Sequence, residues 1–310
     1  MGKYVFGVDL GGTTVKLGLF TTDGEVLDKW EIKTDTSNNG SKILPDIADT
    51  ILNKIKEKNI EKSEVEGVGI GVPGPVDENG VVNKAANLGW GVFNLEEEFS
   101  NLTGLKVKGA NDANVAALGE MWKGAARGYK NIVMVTLGTG IGGGVIVDGK
   151  IVTGSTGAGG EIGHIHVKDG ETVACGCGNK GCFEQYCSAT GIVRLAKKYL
   201  ENETASKLRN EEVTAKAIFD AYKDGDELAK EILAEYFEIL GKGFGIIGSI
   251  LNPEVFVIGG GVSKAGNVIT DSVAEHYKKY VFHASRDAKF VLAELFNDAG
   301  IYGSAKLVLG

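Results

Sequence analysis

A pattern of strand, glycine turn and strand occurs twice in this chain. The first copy occupies residues 4–24 and the second residues 132–152, and an Asp-Gly pair follows the second apolar run of each copy, at Asp23 and at Asp148. Asp-Gly between two apolar runs predicts a β-hairpin with a type I′ turn. A repeat of this kind predicts two related α/β lobes, each opening with a hairpin whose first turn faces a cleft between them.

Apolar spacing outside the hairpins predicts regular elements. In some segments apolar residues recur with the period of a helix, whereas other segments are short apolar runs that end in glycine or polar loops. The predicted helices and strands are a helix at 41–57, strands at 65–70 and 105–108, a helix at 228–251, a strand at 254–258 and a helix at 299–309. No linker rich in Pro or Ser interrupts the chain. We expect a small N-terminal lobe of residues 1–112 with 297–310, and a large lobe of residues 113–296.

Composition excludes several classes of function. The net charge is −8, so we expect no basic patch for nucleic acid. No apolar run reaches the roughly 18 residues of a membrane helix, and Asp9 stands where a signal peptide would be apolar. We therefore expect a cytoplasmic protein that binds neither nucleic acid nor a membrane. In such a reducing compartment, clustered cysteines bind metal more often than they form disulfides.

The glycine turns are candidates for binding phosphate, because a missing Cβ lets backbone amides approach a ligand. The turn DLGGTTVK carries Asp9 at the end of a strand and hydroxyls beyond it, a set suited to a metal-bound polyphosphate. Its glycines have the alternative role of simply forming the hairpin. The candidate residues here are Asp9, Gly11, Gly12, Thr13, Thr14 and Lys16.

The second glycine turn contains Gly138, Thr139 and Gly140, and matches G-x-G-x-x-G as far as Gly143. A strand pattern follows it, whereas the dinucleotide-binding motif needs a helix there. A Rossmann site is therefore excluded, and no P-loop motif is present. Two facing glycine hairpins remain, with a third loop at Gly259, Gly260 and Gly261 that we expect to border an adenosine.

All four cysteines and two of the four histidines lie within residues 161–187. Cys175, Cys177 and Cys182 share one glycine-rich loop, and three thiolates need one more ligand for the tetrahedral geometry of zinc. Cys187, His164 and His166 are the candidates for that ligand, and the residues alone do not choose among them. A buried structural thiol is the alternative role of Cys187.

Several motifs together resemble the ROK family of sugar kinases, within the actin, sugar kinase and Hsp70 superfamily, and most closely its bacterial glucokinases. The two cysteine- and histidine-containing motifs are highly specific, whereas the glycine turns alone are not. The motifs are DLGGTTVK at 9–16, GVPGPVD at 71–77, NLGW at 87–90, NDAN at 111–114, LGTGIGGG at 137–144, E-x-G-H at 161–164 and C-x-C-G-x-x-G-C-x-E at 175–184.

The resemblance implies a two-lobed actin-like ATPase fold of the ribonuclease H type, in the α/β class, with duplicated lobes. It implies transfer of phosphate from ATP to the 6-hydroxyl of glucose, with Mg²⁺ and Zn²⁺ as metals and a homo-oligomeric state. It assigns His164 as the fourth zinc ligand and Asp112 as the general base. The sugar-binding residues that it implies are Asn87, Asn111, Asp112, Glu161, His164 and Glu184.

Each of those assignments has a plainer alternative, since Glu161 and Glu184 are of a type usually found on the surface and Asn111 and Asp112 are typical of loops. Other functions also stay open. The substrate alternatives are another hexose or an N-acetylated amino sugar. A sugar-responsive regulator of the same family would carry a helix-turn-helix domain, for which an expected first strand at Lys3 leaves no room. A zinc-stabilised binding module is the third alternative.

Overall fold

A computed structural model describes residues 2–310, which form two compact units. The first contains the described residues up to Lys130 together with Gly144–Gly160 and Glu294–Gly310, and the second contains Asn131–Gly143 and Glu161–Ala293. The first unit takes in residues 113–130, which lie outside the expected N-terminal lobe. The lobe boundaries expected from the sequence stay a prediction.

Groups of strands and groups of helices follow one another along the described residues. The strands are β1 (Tyr4–Leu10), β2 (Thr14–Thr21), β3 (Val26–Lys33), β4 (Val65–Val72), β5 (Val81–Val82), β6 (Phe93–Asn94), β7 (Val107–Asn111), β8 (Ile132–Leu137), β9 (Ile141–Val147), β10 (Lys150–Ile151), β11 (Val255–Gly259) and β12 (Lys289–Leu292). The helices are α1 (Ser37–Gly40), α2 (Ile43–Glu57), α3 (Leu95–Thr103), α4 (Asp112–Lys123), α5 (Phe183–Cys187), α6 (Ala189–Tyr199), α7 (Ala215–Lys223), α8 (Glu227–Leu251), α9 (Asn267–Tyr280) and α10 (Ala299–Leu309).

The first sheet has the strand order β3-β2-β1-β4-β7. Strands β1 and β2 are antiparallel, with Asp9 opposite Lys16, whereas β4 runs parallel to both β1 and β7. Parallel strands end at the same edge of a sheet, so β1, β4 and β7 bring their final residues to one edge. That edge carries Asp9 and Asn111.

The second sheet has the order β10-β9-β8-β11-β12, which repeats the first sheet position by position. Strands β9 and β10 are antiparallel, and β11 runs parallel to β8 and β12. The predicted duplication is confirmed. The segment after the second glycine turn is the strand β9, as expected, so the helix that a dinucleotide site requires is absent from that position.

Helix α10 packs closely on the first sheet because the strands beneath it carry glycine. A Cβ at Gly7 of β1 would lie 1.9 Å from the carbonyl oxygen of Ile301, and one at Gly69 of β4 would lie 1.6 Å from that of Ser304. On the other side of the sheet, α2 buries an apolar face, as predicted from its spacing. The expected C-terminal helix is confirmed and belongs to the first unit.

The core of the second unit forms around α8, the long helix predicted from the sequence. Its Phe244 packs against Phe256 of β11 with ring centroids 5.0 Å apart, and against Phe183 of α5 at 6.2 Å. Helix α8 is mostly buried, because helices α5, α6, α7 and α9 pack around it. Across residues 2–310, no helix combines the length and apolar character that crossing a bilayer requires.

The two Asp-Gly turns differ. Asp148 and Gly149 both have positive φ, 51° and 77°, as the predicted type I′ turn requires. At the first hairpin only Gly24 has a positive φ, 85°, so the type I′ prediction there is wrong. The amide of Thr21 donates to the carbonyl of Glu25 at 2.9 Å, which leaves three residues in the loop. A three-residue loop takes a type I turn followed by a left-handed glycine.

Candidate active site

Asp9 lies near the end of β1, directly opposite Lys16. The Lys16 amine donates to the carbonyl of Asn297 at 3.2 Å. Helix α10 approaches so closely that a Cβ at Gly300 would lie 2.5 Å from the carboxyl carbon of Asp9. Burial and repulsion from Asp112 raise the pKa of Asp9 to about 6, and Lys16 opposes that shift. A cation beside this carboxyl group would favour its charged form.

The first glycine turn follows Asp9 and is fixed by the backbone and by one threonine. The Gly11 amide donates to the Thr14 carbonyl at 3.0 Å, and the Thr34 amide donates to the Thr13 carbonyl at 2.9 Å. The Thr34 hydroxyl donates to the Gly11 carbonyl at 2.7 Å. Gly12 and Thr13 are exposed, so their amides are accessible to a ligand.

Asp112 is the first residue of α4, directly after β7. The side-chain oxygen of Asn111 caps that helix by accepting from the amides of Ala113 at 2.9 Å and Asn114 at 3.3 Å, and its nitrogen donates to the carbonyl of Gly74 at 3.3 Å. One oxygen of Asp112 accepts from the Ala113 amide at 2.8 Å. Asn111 thus fixes the start of α4, where the helix dipole stabilises a negative charge on Asp112.

Asn87 lies in a short 3₁₀ turn, Ala86–Leu88, and its side chain is exposed. Ala85 and Trp90 pair with each other on either side of this turn. The Trp90 indole donates to the carbonyl of Gly40 at 3.2 Å. The NLGW segment is therefore anchored at its tryptophan, and Asn87 is presented at the surface of the first unit.

The second glycine turn is held by the start of α6. The Gly138 amide donates to the Gly140 carbonyl at 3.0 Å, and the Ala189 amide donates to the Gly138 carbonyl at 2.7 Å. The Thr190 hydroxyl donates to the carbonyl of Thr139 at 2.8 Å. These bonds occupy the carbonyls of the turn and fix its conformation.

The third glycine loop lies beside the second turn. Gly260 has a φ of 82°, and a Cβ there would lie 2.5 Å from the carbonyl of Leu137, the last residue of β8. The second unit therefore brings together two of the three segments that the sequence predicts for a nucleotide, 138–140 and 259–261.

Four metal-ligating side chains converge in the second unit, and we call them the thiol-imidazole cluster: His164, Cys175, Cys177 and Cys182. Their ligand atoms all lie within 4.8 Å of one another. The sulfurs of Cys177 and Cys182 are 3.7 Å apart, as are the Cys175 sulfur and Nδ1 of His164. With Zn–S bonds of about 2.3 Å, a tetrahedral site places its sulfurs about 3.8 Å apart. The spacing of these donors is therefore compatible with a zinc site.

Metal binding would change the protonation of the cluster. Burial and the neighbouring thiols raise the pKa of Cys182 to about 12. A metal ion reverses this effect, because it binds thiolates and releases their protons. Binding at this cluster is therefore expected to depend on pH.

Two carboxylates border the thiol-imidazole cluster. An oxygen of Glu161 lies 3.9 Å from Nε2 of His164. One oxygen of Glu184 accepts from the amide of Ile141 at 2.8 Å, and the other lies 3.7 Å from the sulfur of Cys175. Glu184 thus connects the second glycine turn to the cluster. Both glutamates, predicted as sugar-binding residues, are next to His164 or its fellow ligands.

The other two candidate ligands lie outside the cluster. The ring nitrogens of His166 are 2.9 Å from a carboxylate oxygen of Asp169 and 3.0 Å from the carbonyl of Lys180. Cys187 is fully buried in α5, where burial raises the pKa of its thiol. Its role is therefore packing, which was the plainer interpretation.

One residue near the candidate base has no role in the sequence-based predictions. The side-chain oxygen of Asn114 is buried and has no hydrogen-bond partner among the described residues. A buried orphan acceptor of this kind is uncommon in a native protein. Its place in NDAN, two residues after Asp112, was the available signal.

Comparison with known proteins identifies the family. Residues 5–310 match the ROK family. The chain is a member of the ROK family. It is 41% identical to a glucokinase from Halalkalibacterium halodurans, over 99% of this chain and 95% of that protein. A Thermotoga maritima glucokinase is 39% identical over 98% and 96% of the two chains.

A solved ROK structure resembles the chain over almost its whole length. It is a Streptomyces griseus ROK family glucokinase in complex with glucose and AMPPNP, with a TM-score of 0.74, 32% sequence identity and 98% of each chain covered. The expected family and the actin-like α/β fold are both confirmed. The two five-stranded sheets of equal order described above are this ROK protein's version of that fold.

Proposed function

We propose that this ROK protein is a glucokinase. It transfers the γ-phosphoryl group of ATP to the 6-hydroxyl of glucose, giving glucose 6-phosphate and ADP. The observation that carries the proposal is the thiol-imidazole cluster with Glu161 and Glu184 at its border, because it provides hydrogen-bonding groups for several hydroxyls of one sugar. Similarity to glucokinases over nearly the full chain supports glucose as that sugar.

Asp112 is the proposed general base. As a carboxylate, it would accept the proton of the 6-hydroxyl as the oxygen attacks phosphorus. Asn111 positions the base by capping the same helix. The side-chain amide of Asn111 retains one N–H beyond its observed bonds, because its oxygen already accepts two, so it can still donate to a sugar hydroxyl.

The glycine turns are the proposed nucleotide-binding residues. Amides and hydroxyls of Gly12, Thr13, Gly138 and Thr139 would contact the phosphates, with Gly11, Thr14, Lys16, Gly140 and the loop 259–261 around them. Asp9 would hold Mg²⁺, directly or through water. When bound, Mg²⁺ would neutralise negative charge on the phosphates.

The thiol-imidazole cluster is the proposed zinc site, with His164 as its nitrogen ligand. Zinc supplies a fixed orientation of the imidazole ring and takes no part in bond making. His164 has Nδ1 on the side of Cys175 and Nε2 on the side of Glu161. One nitrogen can therefore bind the metal while the other faces a sugar hydroxyl.

Further features stay predictions. Asn87 is the proposed sugar contact from the NLGW segment. A homo-oligomeric state, either dimer or tetramer, is proposed from the family resemblance, and a cytoplasmic location is proposed from the sequence.

A panel of sugars in a coupled ADP-release assay tests the proposal. We expect glucose to give the highest kcat/KM, and mannose, fructose, allose, N-acetylglucosamine and N-acetylmannosamine to give lower values. A higher value with an N-acetylated sugar would reassign the substrate. No ADP release with any sugar, together with tight sugar binding, would favour a regulator or a binding module instead.

A further inference from the structure

The segment that leads into the thiol-imidazole cluster has almost no core of its own. Between residues 168 and 174 it contains no strand or helix, and most of its side chains are exposed. Val173, its largest apolar residue, is 56% exposed. We call residues 168–174 the approach segment. Interactions other than apolar packing must hold it in the position that places Cys175 in the cluster.

Glu171 is the most connected side chain in the approach segment. One of its oxygens accepts from the Tyr186 hydroxyl at 2.5 Å and from the Arg194 guanidinium at 2.8 Å. The other accepts from the amides of Thr172 at 3.0 Å and Val173 at 2.9 Å. Its side chain is only 10% exposed. A single carboxylate thus ties the approach segment to α5 and α6.

The charges around Glu171 are balanced. Hydrogen bonds from Tyr186 and Arg194 hold the pKa of Glu171 at about 2. The Arg194 guanidinium lies over the Tyr186 ring, 4.9 Å from its centroid, and the Lys168 amine lies 5.3 Å from the same centroid. Lys168 in turn pairs with Glu235 of α8 at 2.5 Å. Cation-π contacts of this kind fix the ring that donates to Glu171.

Tyr186 connects Glu171 to the proposed sugar site. It lies in α5, two residues after Glu184, and α5 begins directly after the ligand Cys182. The neighbouring Gln185 bridges the two segments as well, because its amide nitrogen donates to the Val173 carbonyl at 3.0 Å and its oxygen accepts from the Cys182 amide at 3.1 Å. The approach segment and α5 are therefore joined at two points.

We propose that Glu171 is a positioning residue that, through Tyr186 and Arg194, holds the approach segment against α5 so that Cys175 meets the other ligands of the zinc site. The proposal rests on the zinc-dependent sugar site described above. Glu171 contacts neither zinc nor sugar in this assignment. Groups that orient metal ligands in this way commonly affect metal affinity strongly when they are changed.

The test measures zinc release from purified holoprotein into an excess of a chromophoric chelator. We expect Glu171→Gln to release zinc faster by roughly ten- to a hundredfold, and Tyr186→Phe to have a smaller effect because Arg194 still holds the carboxylate. Both variants should raise the KM for glucose several-fold and leave kcat near the wild-type value, since no reacting group has changed.

Asp226→Asn is the matched control. Asp226 is also in the second unit and also accepts several bonds, from the Ser206 hydroxyl and from the amides of Lys207 and Ala229, yet none of these lies in the approach segment. It should lower the melting temperature without faster zinc release. Equal acceleration in Asp226→Asn would mean general destabilisation and would overturn the proposal.

Failure of this inference and failure of the proposed function give different results. If the wild-type holoprotein contains zinc, and if Glu171→Gln and Tyr186→Phe release zinc at the wild-type rate, only the role of Glu171 is overturned. Wild-type protein that binds no zinc under any condition overturns the metal assignment and this role with it. Should Glu171→Gln fail to fold, Tyr186→Phe alone decides, because it keeps the ring and removes one hydroxyl.

Discussion

The two regions that carry the proposed chemistry are built by different means. Asp9 and Asp112 stand at the ends of β1 and β7, where the sheet and the cap of α4 set their backbone. The thiol-imidazole cluster lies on an irregular segment that depends on side-chain bonds such as those of Glu171. Backbone hydrogen bonding positions the first region, whereas side-chain hydrogen bonds and ion pairs position the second.

Because of this difference, we expect substitutions in the first region to affect turnover, and substitutions in the second to affect structure and sugar binding. A change of charge in the first region should alter turnover and leave the fold intact, because the sheet does not depend on those carboxylates. A change of proposed ligand in the second should alter structure, metal content and sugar affinity together, because the segment has almost no apolar core of its own.

The largest effect is expected for Asp112→Asn, which removes the proposed base and keeps the size of the side chain. We expect kcat to fall by roughly 10²–10⁴-fold, with little change in melting temperature, because Asn111 still caps α4 and the lost helix-dipole interaction is opposed by relief of the repulsion between Asp112 and Asp9. Asp46→Asn, at an exposed site in the first turn of α2, should have no effect on kcat. Normal turnover by Asp112→Asn would remove the aspartate from its assigned role.

The next effect is expected for Cys177→Ala. We expect loss of zinc by elemental analysis, a glucose KM raised by roughly ten- to a hundredfold and a lower melting temperature. Hydrogen exchange of the amides in β1, β2 and β4 should not change, since these strands belong to the first unit. Cys187→Ala should retain zinc, because Cys187 is buried outside the cluster.

If Cys177→Ala retains stoichiometric zinc and normal sugar affinity, the second region does not depend on its metal and the contrast between the two regions fails. If it loses zinc and also exposes the amides of β1 and β4, the two units do not respond independently.

The sequence predicted the regular region better than the irregular one, for a physical reason. Strands, helices and the duplication follow from apolar period and glycine turns, which are local in the chain. The bond between Glu171 and Arg194 joins residues 23 positions apart, and no local pattern encodes it. The ligands were predictable because their types and spacing are specific, whereas the fourth ligand was assigned only by family resemblance.

The failed turn prediction has a similar cause. Asp-Gly occurs in both hairpins, yet the dipeptide alone does not fix the number of residues in the loop. The bond from Thr21 to Glu25 makes the first loop longer, and loop length selects the turn type. The sequence also did not predict that Asn111 both caps a helix and donates to Gly74. Gly74 lies 37 residues away, and no local pattern connects the two.

A moderate effect is expected for Asp9→Asn on stability. Because the folded pKa of Asp9 is raised from 3.8 to about 6, its ionisation opposes folding above that pH. The penalty is absent below pH ~4 and fully present above pH ~6, and amounts to ~1–3 kcal/mol. Asp9→Asn should therefore be more stable than wild type at pH 8, and the difference should disappear as the pH falls toward 4.

Thermal unfolding of both proteins from pH 4 to pH 8, without Mg²⁺ or ATP, measures this difference. Activity should be lost in the same variant, because the proposed Mg²⁺ contact is removed. A difference in melting temperature that stays constant across this pH range would mean that Asp9 is not strained by burial, and that the regular region carries no such cost.

The smallest effect is expected at Phe296, an exposed residue in the first unit next to Asn297. Its φ is 47° and its side chain is 70% exposed, so a bulky residue holds a left-handed conformation without packing to compensate. Phe296→Gly should stabilise the protein by ~0.5–1 kcal/mol, since relief of ~1–2 kcal/mol of strain exceeds the ~0.4–1 kcal/mol by which glycine stabilises the unfolded chain.

Calorimetry should register this as a rise of about 1–3 °C in melting temperature. Phe282→Gly is the control, because Phe282 is also exposed, at 58%, but has an ordinary φ of −56°. That control should destabilise the protein, since it adds flexibility and relieves no strain. If Phe296→Gly behaves like Phe282→Gly, contacts of the aromatic ring stabilise the left-handed residue, and even the regular region depends on a side chain to keep its backbone in place.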